Sequence, residues 1–91
     1  MGKFPLGSLV VTSACSAFSD EHNVNLMRLV IRHHKGDWGD LCKEDKELNE
    51  LALTPGEEGR IFSAYIVEGV KLYIITEWDR SYTTVMLASD Y

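Results

Sequence analysis

Residues 60–87 read RIFSAYIVEGVKLYIITEWDRSYTTVML and hold most of the chain's β-branched and aromatic residues. The run predicts three antiparallel strands joined by two tight turns. Glu68-Gly69 is a two-residue hairpin loop, because Gly takes positive φ without steric cost. That loop sets Val67 opposite Val70, Tyr65 opposite Leu72, Ser63 opposite Ile74 and Arg60 opposite Glu77, the last a favourable cross-strand charge pair. The tetrad Asp79-Arg80-Ser81-Tyr82 predicts the second turn, opening on an Asp able to bond its own backbone further on. It pairs Trp78 with Thr83, Thr76 with Val85 and Ile74 with Leu87.

Alternation sorts these residues onto two faces. One carries Ile61, Tyr65, Val67, Val70, Leu72, Ile74, Val85 and Leu87. The other carries Phe62, Ala64, Ile66, Tyr73, Ile75 and Met86, framed by Arg60, Lys71, Glu77 and Thr84. A sheet with one wet face alternates apolar with polar. Here both faces are apolar, so both want cover.

Working outward, residues 7–12 (GSLVVT) are a first strand. The short apolar patch near the N-terminus is broken by Pro5 and Gly7, which favours a strand over a leader. Small residues 13–17 read as a loop, then Ser19 or Asp20 as an N-cap with Asp20 and Glu21 in the first turn. Residues 22–35 place Val24, Met27, Ile31 and His34 at helical spacing, widened by Leu26 and Val30. Gly36 stops that helix. Residues 37–40 (DWGD) form a linker, and Asp40 caps a second helix over residues 41–53. Its buried side would be Leu41, Leu48, Leu51 and Ala52, and its solvated side Lys43, Glu44, Asp45, Lys46, Glu47 and Glu50. Thr54-Pro55-Gly56 ends it.

The expected fold is a single α+β domain over residues 1–91, two-layered, in the order β-α-α-β-β-β. Two helices cover one face of an antiparallel sheet of three to four strands. The outer face, with Phe62, Ile66, Tyr73, Ile75 and Met86, then stays open as a surface for a protein partner or a second copy. Cover by the N-terminal strand, the Trp38 loop or the C-terminal tail is the competing arrangement.

Length and composition bound the function. The chain has 91 residues, is 45% hydrophobic and 25% charged, and carries a net charge of −5. Its only local basic cluster is Arg28, Arg32, His33, His34 and Lys35, which argues against direct nucleic-acid binding and for a protein partner, a basic one included. No apolar run approaches a membrane span. Cys15 and Cys42 alone make no disulfide framework, so a reduced, cytoplasmic setting fits.

Two clusters offer chemistry. His33-His34-Lys35-Gly36-Asp37-Trp38-Gly39-Asp40 would gather imidazoles and carboxylates round a site. Every one of these residues also has a local task in ending one helix and starting the next, with Trp38 plugging the corner, and that reading is preferred. A metal site from His22, His33, His34, Asp37 and Cys42 matches no zinc spacing, and no cofactor is expected. Nucleophilic catalysis by Cys15 or Cys42 would need a nearby base, and both read instead as buried small thiols. In the second cluster, Glu77-Trp78-Asp79-Arg80-Ser81, Arg80 would pair with Asp37 or Asp40 and pin the interhelix corner to the sheet. Left exposed, Asp37, Trp38, Asp40, Glu77 and Arg80 would instead form a recognition patch, Trp and Arg being frequent interface anchors.

Arg32-His33, residues 36–40, Glu44-Asp45, Asn49, Ala52-Leu53, Ser63-Ala64-Tyr65, residues 74–77, Asp79-Arg80-Ser81, Thr83-Thr84 and Tyr91 resemble a family of small accessory proteins of plasmids, integrative elements and phages. The resemblance covers about two-thirds of the chain. It implies a non-enzymatic, protein-binding role on a mobile element, such as blocking a host defence by restriction or CRISPR. Acidic proteins occupy basic channels by placing carboxylates where phosphates would lie, and Glu44, Asp45, Glu47 and Glu50 would do so here, diluted by Lys43 and Lys46. The element order also resembles RelE-type ribosome-dependent RNases, which cut messenger RNA with sheet-borne Arg, Lys, His or Tyr; the candidates here would be Arg60, Lys71, Tyr73, Arg80 and Tyr82. Those toxins are basic and this chain is acidic.

Overall fold

The computed structural model describes residues 2–91, which form an α+β fold. Among them lie strands β1 (Ser8–Val11), β2 (Ile61–Val67), β3 (Val70–Thr76) and β4 (Tyr82–Leu87), and helices α1 (Ser13–His22), α2 (Leu26–His34) and α3 (Lys43–Ala52). A 3-10 turn, Ala88–Asp90, closes the chain. Among these residues no helix is long and apolar enough to cross a membrane.

The β2–β3 hairpin has the register expected from its loop: Val67 opposite Val70, Tyr65 opposite Leu72, Ser63 opposite Ile74. Glu68 and Gly69 both take positive φ, 51° and 74°, as a type I′ turn demands. Arg60 Nε lies 3.5 Å from Glu77 Oε2. The second turn is longer than expected. Arg80 N–H donates to the Glu77 carbonyl and Arg80 itself is left-handed at φ 60°, so the strands diverge two residues sooner. Thr76 therefore faces Thr83 and Ile74 faces Val85. A slip of two residues keeps every side chain on its expected face.

The sheet is mixed rather than antiparallel, in the order β1-β4-β3-β2. The helices carry the chain from β1 across the sheet to its far edge. The meander then returns, bringing β4 alongside β1 in the same direction. Three helices replace the expected two, because the stretch beginning near Ser19 is not continuous. Residues 13–17 are helical, with Thr12 Oγ1 accepting from Cys15 N–H as the N-cap. Asn23 then ends α1 in the left-handed conformation, which Asn tolerates, and Asn25 caps α2 through Arg28 N–H.

Helices α1 and α2 cover one sheet face. Cys15, Phe18, Leu29 and Val30 pack on Tyr65, Leu72, Ile74 and Val85. A second cluster joins Phe4, Trp38, Ala52 and Ile61 where α3 meets the end of β2. Asp40 does not cap α3. Its Oδ2 accepts from Ile66 N–H, and the N-cap is Cys42, with suitable extended geometry but no side-chain hydrogen bond. Serine would supply the missing acceptor. Cys42→Ser is expected to stabilise the fold by about 1 kcal/mol, raising the melting temperature by about 4–8 °C. An unchanged or lower melting temperature would contradict this account of the cap.

Candidate interaction surface

The polar cluster after α2 resolves into structural contacts. Arg32 Nε donates to Asp37 Oδ2 at 2.7 Å, and its guanidinium lies 4.6 Å from the centre of the Tyr65 ring. The hydrogen bond to Arg32 holds the Asp37 carboxyl below its ordinary range. Trp38 is buried, with its indole N–H donating to Glu50 Oε2 at 2.8 Å, so it is no part of an exposed patch. Gly39 lies at φ 74° against β2, where a Cβ would run into the Ala64 carbonyl oxygen. That approach lets Asp40 N–H and Trp38 C=O pair with Ala64 as a one-residue parallel bridge.

Arg80 does not reach Asp37 or Asp40. Its Nη1 donates to the carbonyls of Gly59, Glu77 and Trp78, and Nη2 to that of Ala52 in the last turn of α3. Unpaired carbonyls at a helix C-terminus carry partial negative charge, and with the two turn carbonyls and that of Gly59 they give the guanidinium four acceptors in one place. Arg80 thus ties α3 to the β3–β4 turn. Among the described residues no hydrogen bond or ion pair joins any two of Arg60, Lys71, Tyr73, Arg80 and Tyr82.

His33 is fully buried. Its Nδ1 lies 2.6 Å from Ser63 Oγ and its Nε2 2.9 Å from Thr76 Oγ1; Thr76 Oγ1 lies 2.7 Å from Thr83 Oγ1, which donates to the Leu6 carbonyl at 2.6 Å. The carbonyl only accepts, so the direction of the whole chain follows from it. The Thr83 hydroxyl is spent on Leu6, Thr76 must donate to Thr83, and His33 Nε2–H must donate to Thr76. Ser63 then donates to Nδ1. Burial, with a smaller push from His34, lowers the His33 pKa from 6.5 to about 3, which keeps the ring neutral as this pattern requires. The Cys15 thiol is likewise buried and its pKa raised, chiefly by desolvation. Neither His33 nor Cys15 touches solvent, so both serve the core, whereas Cys42, expected to be buried, is exposed at the start of α3. Among the described residues no group of three or more His, Cys, Asp and Glu side chains is placed to hold a metal ion.

The outer sheet face is partly covered, contrary to the expectation of an open surface. Ile75 is buried, Phe62, Tyr73 and Met86 are half-buried, and Ile66 is exposed. The cover is the chain's own end. Asp90 Oδ2 accepts from Leu87 N–H and Thr12 Oγ1, which turns the backbone back over the sheet. Tyr91 then meets Phe62 and Tyr73 edge-on, with ring centres 5.8 Å from each, and its hydroxyl accepts from Arg60 Nη1.

What remains open lies beside this aromatic group, on α3. Asn49 rather than a leucine faces inward, its amide pairing with both backbone groups of Phe62. That orientation leaves Leu48 62% and Leu51 50% exposed, against the expectation that they are buried. An open groove of about 260 Å3 separates α3 from the sheet, lined by Asp45, Leu48, Asn49, Arg60 and Phe62. Residues 40–58 around it hold seven carboxylates and two lysines; elsewhere acids and bases balance, so the chain's entire net charge of −5 sits at this end.

Sequence reasoning named Phe62 and the acids of α3 but missed Asn49, His33's partners and the solvent-facing leucines. The signals were present. Ser63, Thr76 and Thr83 are polar residues with the alternation of the apolar core face, and Asn49 interrupts a leucine stripe. No family model, no curated protein and no solved structure matches the chain.

Proposed function

We propose that this chain is a non-enzymatic protein-binding module that receives a basic partner on the α3 end, in the service of a mobile element. The observation that carries the reading is the exposure of Leu48 and Leu51 inside the segment holding the whole net charge. Apolar anchors amid a seven-to-two excess of carboxylates over lysines suit a partner with basic residues around an apolar contact: the anchors supply affinity, and the net charge supplies orientation and encounter rate. The groove leading to Phe62 extends that contact toward the outer sheet face, and Ile66, Tyr73 and Met86 lie further along it.

The resemblance to plasmid and phage accessory proteins narrows the partner to a nucleic-acid-handling component of a host defence system, restriction or CRISPR. Such components expose basic channels, and a protein placing carboxylates there competes with phosphate. Cells proficient in restriction or CRISPR and making this chain are expected to admit phage or plasmid that they otherwise exclude. The double variant Leu48→Lys/Leu51→Lys is expected to weaken partner binding about 100-fold or more and to abolish that rescue while the protein stays folded. Absence of rescue against every system tried removes the inhibitor reading. Rescue undiminished in the double variant removes α3 as its surface.

A further inference from the structure

We propose that β1 is a self-pairing edge through which two copies of this chain join into one continuous eight-stranded sheet. The two edges of the four-stranded sheet differ sharply. On the β2 edge, Asn49 takes both backbone groups of Phe62, residues 38–40 take those of Ala64, and Asp40 Oδ2 takes Ile66 N–H. On the β1 edge every residue is exposed, with Leu9 at 43%, Val10 at 46% and Val11 at 42%. Proteins blunt an edge with lysine, proline, a bulge, a covering loop or a very short strand, and of these β1 has only the last, at four residues. The strand Ser8–Val11 contains no lysine or proline, and residues 4–19 carry no charge at all.

Backbone geometry fixes the pairing. Ser8 and Thr12 N–H donate to the Ser81 and Val85 carbonyls, so by alternation Leu9 and Val11 direct their N–H and C=O away from β4. Two outward residues flanking one inward residue are self-complementary in the antiparallel sense. Leu9 exchanges both hydrogen bonds with Val11 of the second copy, and Val11 with its Leu9. Val10 meets its own counterpart across the two-fold axis as a non-hydrogen-bonded pair, with Cα atoms about 4.5 Å apart. The occupant is a second copy because this geometry is isologous and closes at two: each copy's other edge is already filled, so no fibre can grow. Charge agrees. The acidic end lies by β2, at the opposite side of the sheet, so pairing at β1 keeps the two net charges as far apart as the sheet allows.

The test combines mass with cross-linking. At about 200 µM, light scattering is expected to read twice the 10.3 kDa chain mass. Leu9→Pro deletes an outward N–H and leaves the β1–β4 ladder intact; it is expected to be monomeric with an unchanged circular dichroism spectrum. In a Cys42→Ser background, which removes the exposed native thiol, Val10→Cys is expected to form a disulfide-linked dimer under mild oxidation. Leu9→Cys serves as the comparison, since its own copy lies diagonally about 7–8 Å away. The proposal is overturned by a wild-type chain of monomer mass, by a dimer that survives folded Leu9→Pro, or by Val10→Cys cross-linking no faster than Leu9→Cys. Should Leu9→Pro not fold, the two cysteine variants decide the matter alone.

Discussion

His33→Ala is expected to destabilise the protein by about 3–5 kcal/mol, a large share of the total for a domain of this size. Removing the ring opens a cavity beneath α2 and strands the two groups it joins. Ser63 loses its acceptor, Thr76 loses its donor, and both are fully buried, so neither recovers the bond from water. The hydroxyl relay from Thr76 through Thr83 to the Leu6 carbonyl then has a free acceptor site at its head. Urea denaturation of the wild type and the variant measures the loss. A cost under about 1 kcal/mol would mean that the network contributes little beyond volume.

The same residue sets the acid limb of the stability curve. An unfolded histidine takes up a proton near pH 6.5, whereas the folded ring stays neutral down to about 3. Across that window the unfolded chain binds the extra proton, so stability is intact above about pH 7 and falls as acid is added. The expected slope is about 1.4 kcal/mol per pH unit between roughly 6 and 4. Asp37 and Asp79, whose carboxyls are held below their ordinary value by Arg32 and Ser81 respectively, lose their contribution only below about pH 4. His33→Gln keeps a donor and an acceptor but cannot titrate. It is expected to flatten the curve between pH 4 and 6, and parallel curves for the two proteins would refute the assignment.

How much of this was legible beforehand depends on the range of the interaction. The Glu68-Gly69 hairpin was readable because loop length and positive φ fix register locally. The second turn was mis-measured because Arg80 adopts a left-handed backbone that its side-chain type does not advertise. The break at Asn23 was hidden by apolar spacing that runs on through it, although two asparagines bracketing Val24 are a stop and a start. The partner of β1 was invisible, since parallel pairing with β4 joins residues more than seventy positions apart and carries no turn signal. At the candidate surface, acid content was plain from composition. The facing of α3 was not, because one amide outweighs the hydrophobic stripe.

Asn49→Leu should therefore be the most instructive single change at that surface. Leucine is the better helix former and would complete the apolar stripe with Leu48 and Leu51. Yet Asn49 Nδ2 donates to the Phe62 carbonyl at 2.6 Å while Phe62 N–H donates to Oδ1 at 2.9 Å, so the side chain stands in for a neighbouring strand. With leucine, both Phe62 groups lose their partner beneath α3, at an expected cost of about 2–4 kcal/mol. Amide exchange localises the effect: Phe62 N–H should lose its protection selectively, while Ile74 and Val85 in the sheet interior follow only the global change. Helix α3 is then free to roll its leucines toward Phe62, and binding to a basic partner should weaken along with the lost exposure. Unaltered Phe62 protection would show that the edge is sealed by α3's bulk, and that Asn49 does not set which side of the helix faces outward.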